Sequence, residues 1–266
     1  VVQRAHEAGL AAIALTDHDT LAGVAPAVTE GTRLGLRVVS GCEFSVQAPW
    51  GEMHLLGYFL PPDSPAVADF LAAARTMRLE RALQIVDHLQ AWGVDIGPED
   101  VLREAGDAAV GRPHVARALV RRGTVPDVVA AFDEFLGEGR RAYVPKRLPP
   151  LEEVAALVHR VGGMVAAAHL RERATRTTLL TLKRLGLDGV EVRHPRHSPE
   201  LARAIESLAR ELDLVCTGGT DWHGDGDADH GEPLGACAVP LDWLTEMEQR
   251  ARRLASTPCV VNSRPD

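Results

Sequence analysis

The sequence predicts an α/β fold of the barrel type, interrupted by a helical insertion. Three observations predict it. Short apolar runs alternate with amphipathic helical patterns, which implies parallel strands with helices outside. Run after run ends in His, Asp or Glu, and in α/β barrels the chemistry gathers at the C-terminal ends of the strands. One stretch, residues 64–148, abandons this rhythm and reads almost wholly as helix.

The elements follow in order. VVQRAHEAGL reads as the second half of an amphipathic helix already under way at Val1, so further sequence is expected before it. The first strand is AAIALT (11–16), running directly into Asp17, His18 and Asp19. A helix spans 20–34, and Asp19 is placed either to cap it or to serve a site. The strand LRVVSG (36–41) leads to Glu43, and EMHLLGYFL (52–60) carries His54. The insertion reads as helices over 64–92, 98–105, 112–122 and 125–136. It holds 12 Lys and Arg against 12 Asp and Glu, so the whole net charge of −8 resides in the β/α part. We read this neutral insertion as a lid over the strand ends.

After the insertion, a helix over 151–161 precedes the strand GMVAAAH (163–169), which ends in His169. A helix over 175–185 precedes GVEVR (189–193), which runs into His194 and His197. The next helix, 199–211, has Ser198 as its N-cap and Pro199 at its first position. DLVCTGG (213–219) leads to Asp221 and His223, and GACAV (235–239) is a further strand. The tail STPCVVNSRPD is a final strand or a loose end.

Composition excludes several classes. A chain of 266 residues suffices for one large domain, or for a domain with an insertion. Aromatic residues make up only 4%, so Ala, Val and Leu must build the core. A net charge of −8 argues against a protein that coats nucleic acid, though not against one that holds nucleotides through metals. The four cysteines (Cys42, Cys216, Cys237, Cys259) have no CxxC spacing and read as buried or incidental thiols. No apolar run approaches ~18–20 residues and no signal-peptide pattern is present, so a cytoplasmic protein without a membrane span is expected. Asp225 to Asp229 imitates a calcium loop, but the required Gly and Glu are replaced by His230 and Ala236.

Imidazoles and carboxylates recurring at strand ends suit borderline divalent ions such as manganese, zinc or iron. Asp221 and His223 are two apart, so in extended chain they point to one side. Several carboxylates beside several imidazoles point to more than one ion, and ions ~3.5–4 Å apart clamp the attacking and leaving oxygens of phosphoryl chemistry. Taken singly, His54 in a strand is more often a satisfied core residue than a ligand, and Asp17 with His18 can be a structural pair. Their recurrence favours a metal site. His6, His88 and His159 fall within helical patterns and are assigned to packing or the surface.

With these residues collected, the chain resembles the PHP (polymerase and histidinol phosphatase) family of metal-dependent phosphoesterases. The resemblance is to the bacterial branch of the 5′-3′ exoribonuclease and the 3′,5′-nucleotide bisphosphate phosphatase. ALTDHDTLAG, VVSGCEFSV, EMHLLGY, GRPHVARALV, YVPKR, AAAHL, GVEVRHPRHS and GGTDWHGD carry it, across 10–240. The resemblance implies a distorted seven-stranded β/α barrel with two or three divalent ions. Glu43 would bridge them. His18, His54, His169, Asp221 and His223 would be ligands, and Asp17 a ligand or its support. His197 and His194 would contact metal or phosphate, with His197 or a coordinated water protonating the leaving oxygen. Arg112, His114 and Arg117 would face the substrate, with Arg140, Arg141, Lys146 and Arg147 as further phosphate candidates. The family opens on an HxH strand that this sequence lacks, so the expected barrel is missing its first strand and two ligands.

The implied reaction is hydrolysis by water acidified through coordination. The implied substrate is a nucleotide bisphosphate, another phosphorylated small molecule, or the 5′ end of a short RNA, with no membrane and no stable protein partner. A histidinol-phosphate-type phosphatase and a non-catalytic PHP-like module stand as alternatives.

Overall fold

The structure, a computed structural model, describes residues 1–106, 109–224 and 232–256. The Asp225–Asp229 stretch and the tail beyond Ser256, with Cys259, lie outside the described residues. The chain divides into two compact units, one formed by Val1–Val67 with the chain from Leu148 onward, the other by Ala68–Arg147. In chain order the helices are α1 (Val2–Glu7), α2 (Val24–Leu34), α3 (Pro65–Ala91), α4 (Pro98–Ala105), α5 (Arg112–Arg121), α6 (Val128–Ala131), α7 (Leu151–Arg160), α8 (Arg176–Arg184), α9 (Pro199–Glu211) and α10 (Leu241–Ser256).

The first unit holds one mixed six-stranded sheet, curled into a half-barrel, with strands adjacent in sequence order. They are β1 (Ala12–Leu15), β2 (Arg37–Ala48), β3 (Gly51–Tyr58), β4 (Met164–Ala167), β5 (Gly189–Arg193) and β6 (Val215–Gly218). The expectation of parallel strands throughout is corrected here. β1/β2, β4/β5 and β5/β6 are parallel, but β3 runs antiparallel to both its neighbours. The cause is loop length. Only Pro49 and Trp50 separate β2 from β3, and a parallel crossover needs about a dozen residues or more. The chain therefore folds back as a hairpin, closed by Gly51 at φ +122°. β2 extends well past its expected end to pair along β3, with Ser45 opposite His54. Reversing β3 places His54 beside Ala168, whose N–H donates to the His54 carbonyl at 3.2 Å.

Small residues permit this close approach. A Cβ on Gly41 would lie 2.7 Å from the Gly57 carbonyl oxygen and 2.8 Å from Thr16 Cγ2. The core is aliphatic, as the composition requires. Leu55, Leu60, Leu151, Met164, Leu179, Leu182 and Ile205 are fully buried, with Phe44 the one aromatic among the largest such side chains described. α9 begins where expected, because the Ser198 side chain accepts the Leu201 N–H at 3.2 Å and Pro199 follows it.

Three further readings are corrected. α2 starts at Val24 with Gly23 as N-cap, so Asp19 is not the cap of that helix. Asp19 instead pins the loop to β2. Its N–H donates to the Glu43 carbonyl at 3.1 Å and its Oδ1 accepts from the Ser45 N–H at 3.4 Å. Residues 235–239 are not a strand. Gly235 sits at φ +92°, and the Ala236 N–H bonds back to the Pro233 carbonyl at 3.1 Å, making a turn. α10 is an element that sequence reading missed, although Trp243, Met247 and Ala251 recur every four residues and are all buried.

At the start of β5, buried Asp188 joins three elements. Its Oδ2 accepts from the Val165 N–H of β4 at 2.9 Å and lies 2.7 Å from His159 Nε2 of α7. Asp188→Ala orphans that backbone N–H, and the expected loss of stability is about 2–4 kcal/mol, measured by urea unfolding. A loss under ~0.5 kcal/mol, typical of an indifferent surface site, would contradict this role.

The second unit is helical, packed around Ile85, Leu89, Val115, Leu119 and Leu136. Its expected helix over 125–136 is instead the short α6 followed by a π-helical turn, Phe132–Leu136. The late start has a local cause, since Asp127 caps the helix by accepting the Ala130 N–H at 2.8 Å. Among the described residues, no helix is long and apolar enough to cross a membrane.

Candidate metal centre

Glu43 is the hub of the site. It lies on β2, 5% exposed. Its Oε1 is 2.8 Å from His54 Nδ1 and 3.3 Å from His169 Nε2, and its Oε2 is 3.6 Å from His18 Nδ1. His54 Nδ1 and His169 Nε2 are themselves 3.2 Å apart. One donor atom from each of His18, Glu43 and His54 lies within 4.8 Å of the others. A second group adjoins this one. Asp221 Oδ2 is 3.6 Å from His194 Nε2, and Asp221 Oδ1 is 3.7 Å from His223 Nδ1. Ring contacts link the two. His18 meets His54 at 5.1 Å and His223 at 5.6 Å, His54 meets His169 at 5.1 Å, His169 meets His194 at 5.7 Å, and His194 meets His197 at 5.4 Å. Six imidazoles therefore form one continuous cluster with Glu43 and Asp221. Asp17 lines the same cavity of about 480 Å³ with His18, Glu43, His169, Asp221 and His223.

Strand ends position these groups with locally strained backbone. Asp19, His169 and Asp221 take φ values of +50°, +28° and +51°. Non-glycine residues hold such values when surrounding structure over-determines them, commonly at functional sites.

The protons are placed by hydrogen bonding. His197 Nδ1–H donates to the Val192 carbonyl at 2.8 Å, which leaves its Nε2 with a lone pair. That Nε2 is buried and has no hydrogen-bond partner. His223 Nδ1–H donates to the Asp221 carbonyl at 2.7 Å, which makes Nε2 the lone-pair nitrogen of the neutral ring. His194 is the reverse. Its Nδ1 accepts the Arg196 N–H at 3.1 Å, so its Nε2 carries the proton and faces Asp221. An imidazole that donates one nitrogen to a carbonyl and offers the other as a lone pair is the usual state of a metal ligand. The orphaned lone pair of His197 and the crowding of donor atoms around Glu43 fit a divalent cation.

Charge follows from the same contacts. Burial would raise the Glu43 carboxyl, but hydrogen bonds from His169 and His54 and the nearby imidazoles outweigh it and hold Glu43 well below the usual carboxylate range. Burial would lower His54, yet Glu43 and Glu52 push it up to about 9. Burial lowers His18, partly offset by Glu43, and lowers His197, partly offset by the bond to Val192. Burial raises Asp17, against the pull of His18 and His223.

Two acidic residues were missed from sequence. Glu52 Oε1 stands 3.7 Å from His54 Nε2, on the side away from Glu43. Glu191 is buried in β5, where its Oε2 accepts the His169 N–H at 2.7 Å and burial pushes its carboxyl up to about 8. A signal for Glu191 existed, because GVEVR sets a charged residue within a strand buried on both faces.

Of the predicted substrate contacts, Arg112, His114 and Arg117 fall in the helical unit and have partners there. Arg112 donates to the Leu136 carbonyl at 3.2 Å, with its guanidinium over the rings of Phe132 and Tyr143. His114 Nδ1 accepts the Gly111 N–H at 2.9 Å and so caps its own helix, and Arg117 pairs with Glu104 at 3.6 Å. Arg141 lies over the Trp92 ring at 4.5 Å.

A curled α/β sheet presenting clustered imidazoles and carboxylates defines a metal-dependent hydrolase. Comparison with known proteins makes the assignment specific. Residues 1–58 match the family described as PHP domain. The 3′,5′-nucleoside bisphosphate phosphatase of Chromobacterium violaceum is 32% identical, over 96% of this chain and 92% of that protein. The 5′-3′ exoribonuclease of Escherichia coli strain K12 is also 32% identical, over 84% of this chain and 78% of its own length. The solved structure of a Bifidobacterium adolescentis protein assigned as a metal-dependent phosphoesterase superposes with a TM-score of 0.79 at 32% identity, covering 94% of this chain and 89% of that one. The chain belongs to the PHP family, and it is a metal-dependent phosphoesterase.

Proposed function

We propose that this chain hydrolyses phosphate esters, releasing phosphate from a 3′,5′-nucleoside bisphosphate or a mononucleotide from the 5′ end of a short oligoribonucleotide. The observation that carries the reading is the single cluster of six imidazoles around Glu43 and Asp221. The likeness to the Chromobacterium violaceum phosphatase, which extends over nearly both whole chains, supports the substrate class. The sheet is read as the wall of a distorted seven-stranded β/α barrel, and the donor set as a site for two or three ions of manganese, zinc or iron.

When bound, such ions acidify water and neutralise charge on phosphate oxygens. His18, Glu43, His54, His169, Asp221 and His223 would hold them, with Asp17 beside His18. His197 enters as a neutral imidazole whose Nε2 lone pair is buried and unpartnered, its ring against His194, so it is placed to accept a proton or a cation. Burial disfavours its protonated form, which speaks against His197 as the acid on the leaving oxygen. His194 presents a fixed N–H beside Asp221, suited to steadying that carboxylate or a substrate oxygen. Arg112, His114 and Arg117, which have partners inside the helical unit, would contact the nucleotide body or its second phosphate.

The test is phosphate release from adenosine 3′,5′-bisphosphate and from histidinol phosphate, and mononucleotide release from a 5′-phosphorylated trinucleotide, each with added manganese. Faster turnover of histidinol phosphate than of both nucleotide substrates would overturn the assignment. Asp221→Ala is expected to cut turnover ~10²–10³-fold while the melting profile is kept. Undiminished turnover with unchanged metal content would remove Asp221 from the site.

A further inference from the structure

We propose that Glu191 is a positioning residue that holds His169 in its metal-binding place through the backbone. The proposal rests on His169 being a metal ligand. His169 follows β4 at φ +28°, a conformation that side-chain-bearing residues avoid. Its ring must nevertheless set Nε2 between Glu43 Oε1 at 3.3 Å and His54 Nδ1 at 3.2 Å. The Glu191 Oε2 accepts the His169 N–H at 2.7 Å. That bond holds the plane of the 168–169 peptide, against which the φ of His169 is set.

Glu191 is itself rigidly placed. It lies between Val190 and Val192 on β5 and is 6% exposed. The register of β5 against β6 shifts between Glu191 and Arg193. Such bulges re-aim a side chain near functional sites. Without the acceptor, the strained residue relaxes toward an ordinary φ, and the far end of the ring swings with it. Metal sites tolerate ligand displacements of only about 0.2 Å.

Manganese affinity of the full chain, measured by titration calorimetry, tests this in wild type, His169→Ala, Glu191→Gln, Glu191→Asp and the Glu191→Asp/His169→Ala double variant. Glu191→Gln keeps an oxygen acceptor at the same reach and is expected to bind within about threefold of wild type. Glu191→Asp keeps the carboxyl group but withdraws the acceptor by one methylene, and is expected to weaken binding roughly tenfold to a hundredfold. The double variant should bind no more weakly than His169→Ala alone, because the two changes act on one ligand. Wild-type affinity in Glu191→Asp, equal losses in Gln and Asp, or a full additional loss in the double variant would each overturn the positioning role. If His169→Ala binds like wild type, the ligand reading of His169 falls and the proposal falls with it. A weakened His169→Ala beside an unaffected Glu191→Asp overturns the proposal alone.

Discussion

Glu43→Gln is expected to strip the protein of its metal and to lower turnover by ~10³-fold or more. The substitution conserves volume, so packing in β2 should survive. What changes is the face presented to three imidazoles. Both carboxylate oxygens now look at nitrogen, with Oε1 between His54 and His169 and Oε2 toward His18. An amide replaces one acceptor by a donor and removes the charge that offsets a bound cation. His54 should report the loss directly. Its pKa of about 9 depends on Glu43 and Glu52 overcoming burial, so in Glu43→Gln it should fall markedly. Elemental analysis gives the metal content, and NMR titration of the metal-free protein follows the imidazole. Wild-type metal content in Glu43→Gln would remove the hub from the site.

Metal affinity should rise steeply with pH. In the metal-free protein His54 keeps its proton up to about pH 9, and a ligand imidazole must be neutral. Binding at pH 7 therefore expels that proton, and apparent affinity should increase about tenfold per pH unit from 7 toward 9 and then level off. Stability of the metal-free protein should move the other way. The folded pKa of His54 lies above its ordinary 6.5. The contribution of the His54–Glu43 pair is thus full below pH 6.5 and is lost as pH rises through 9. Glu43 has the opposite sign. Its folded pKa is depressed, so its contribution stands above pH 4.5, the ordinary value, and is lost in acid below it. Manganese titrations at pH 7, 8 and 9, run beside thermal melts of the metal-free chain, measure both trends. Affinity independent of pH across that range would show that His54 is not displaced from a proton by the metal.

Much of the site was legible because metal chemistry restricts residue type. Asp17, His18, Glu43, His169, Asp221 and His223 stood out as polar residues at or just beyond the ends of apolar runs, and they line one cavity, with His54 joined to them through Glu43. Asp19 shows the limit of that reading. A carboxylate before a helical pattern is ambiguous between cap and site, and only the fold reveals it bonded to β2. Glu191 was passed over because its partner is a backbone N–H 22 residues away, which no spacing rule encodes. The reversal of β3 was implicit in a two-residue connection, but the alternation of elements outweighed that local cue.

By itself, the sequence determined the residue chemistry, the strand and helix periods and the kinship with metal-dependent phosphoesterases. These are written in neighbouring positions, through burial period and side-chain type. Tertiary structure alone decided the direction of β3, the strained backbone at His169 and Asp221, and which nitrogen each imidazole turns inward. Those features depend on contacts between distant positions. Glu43 meets His169 across 126 residues, and the energy of that meeting exists only once the sheet has closed around it.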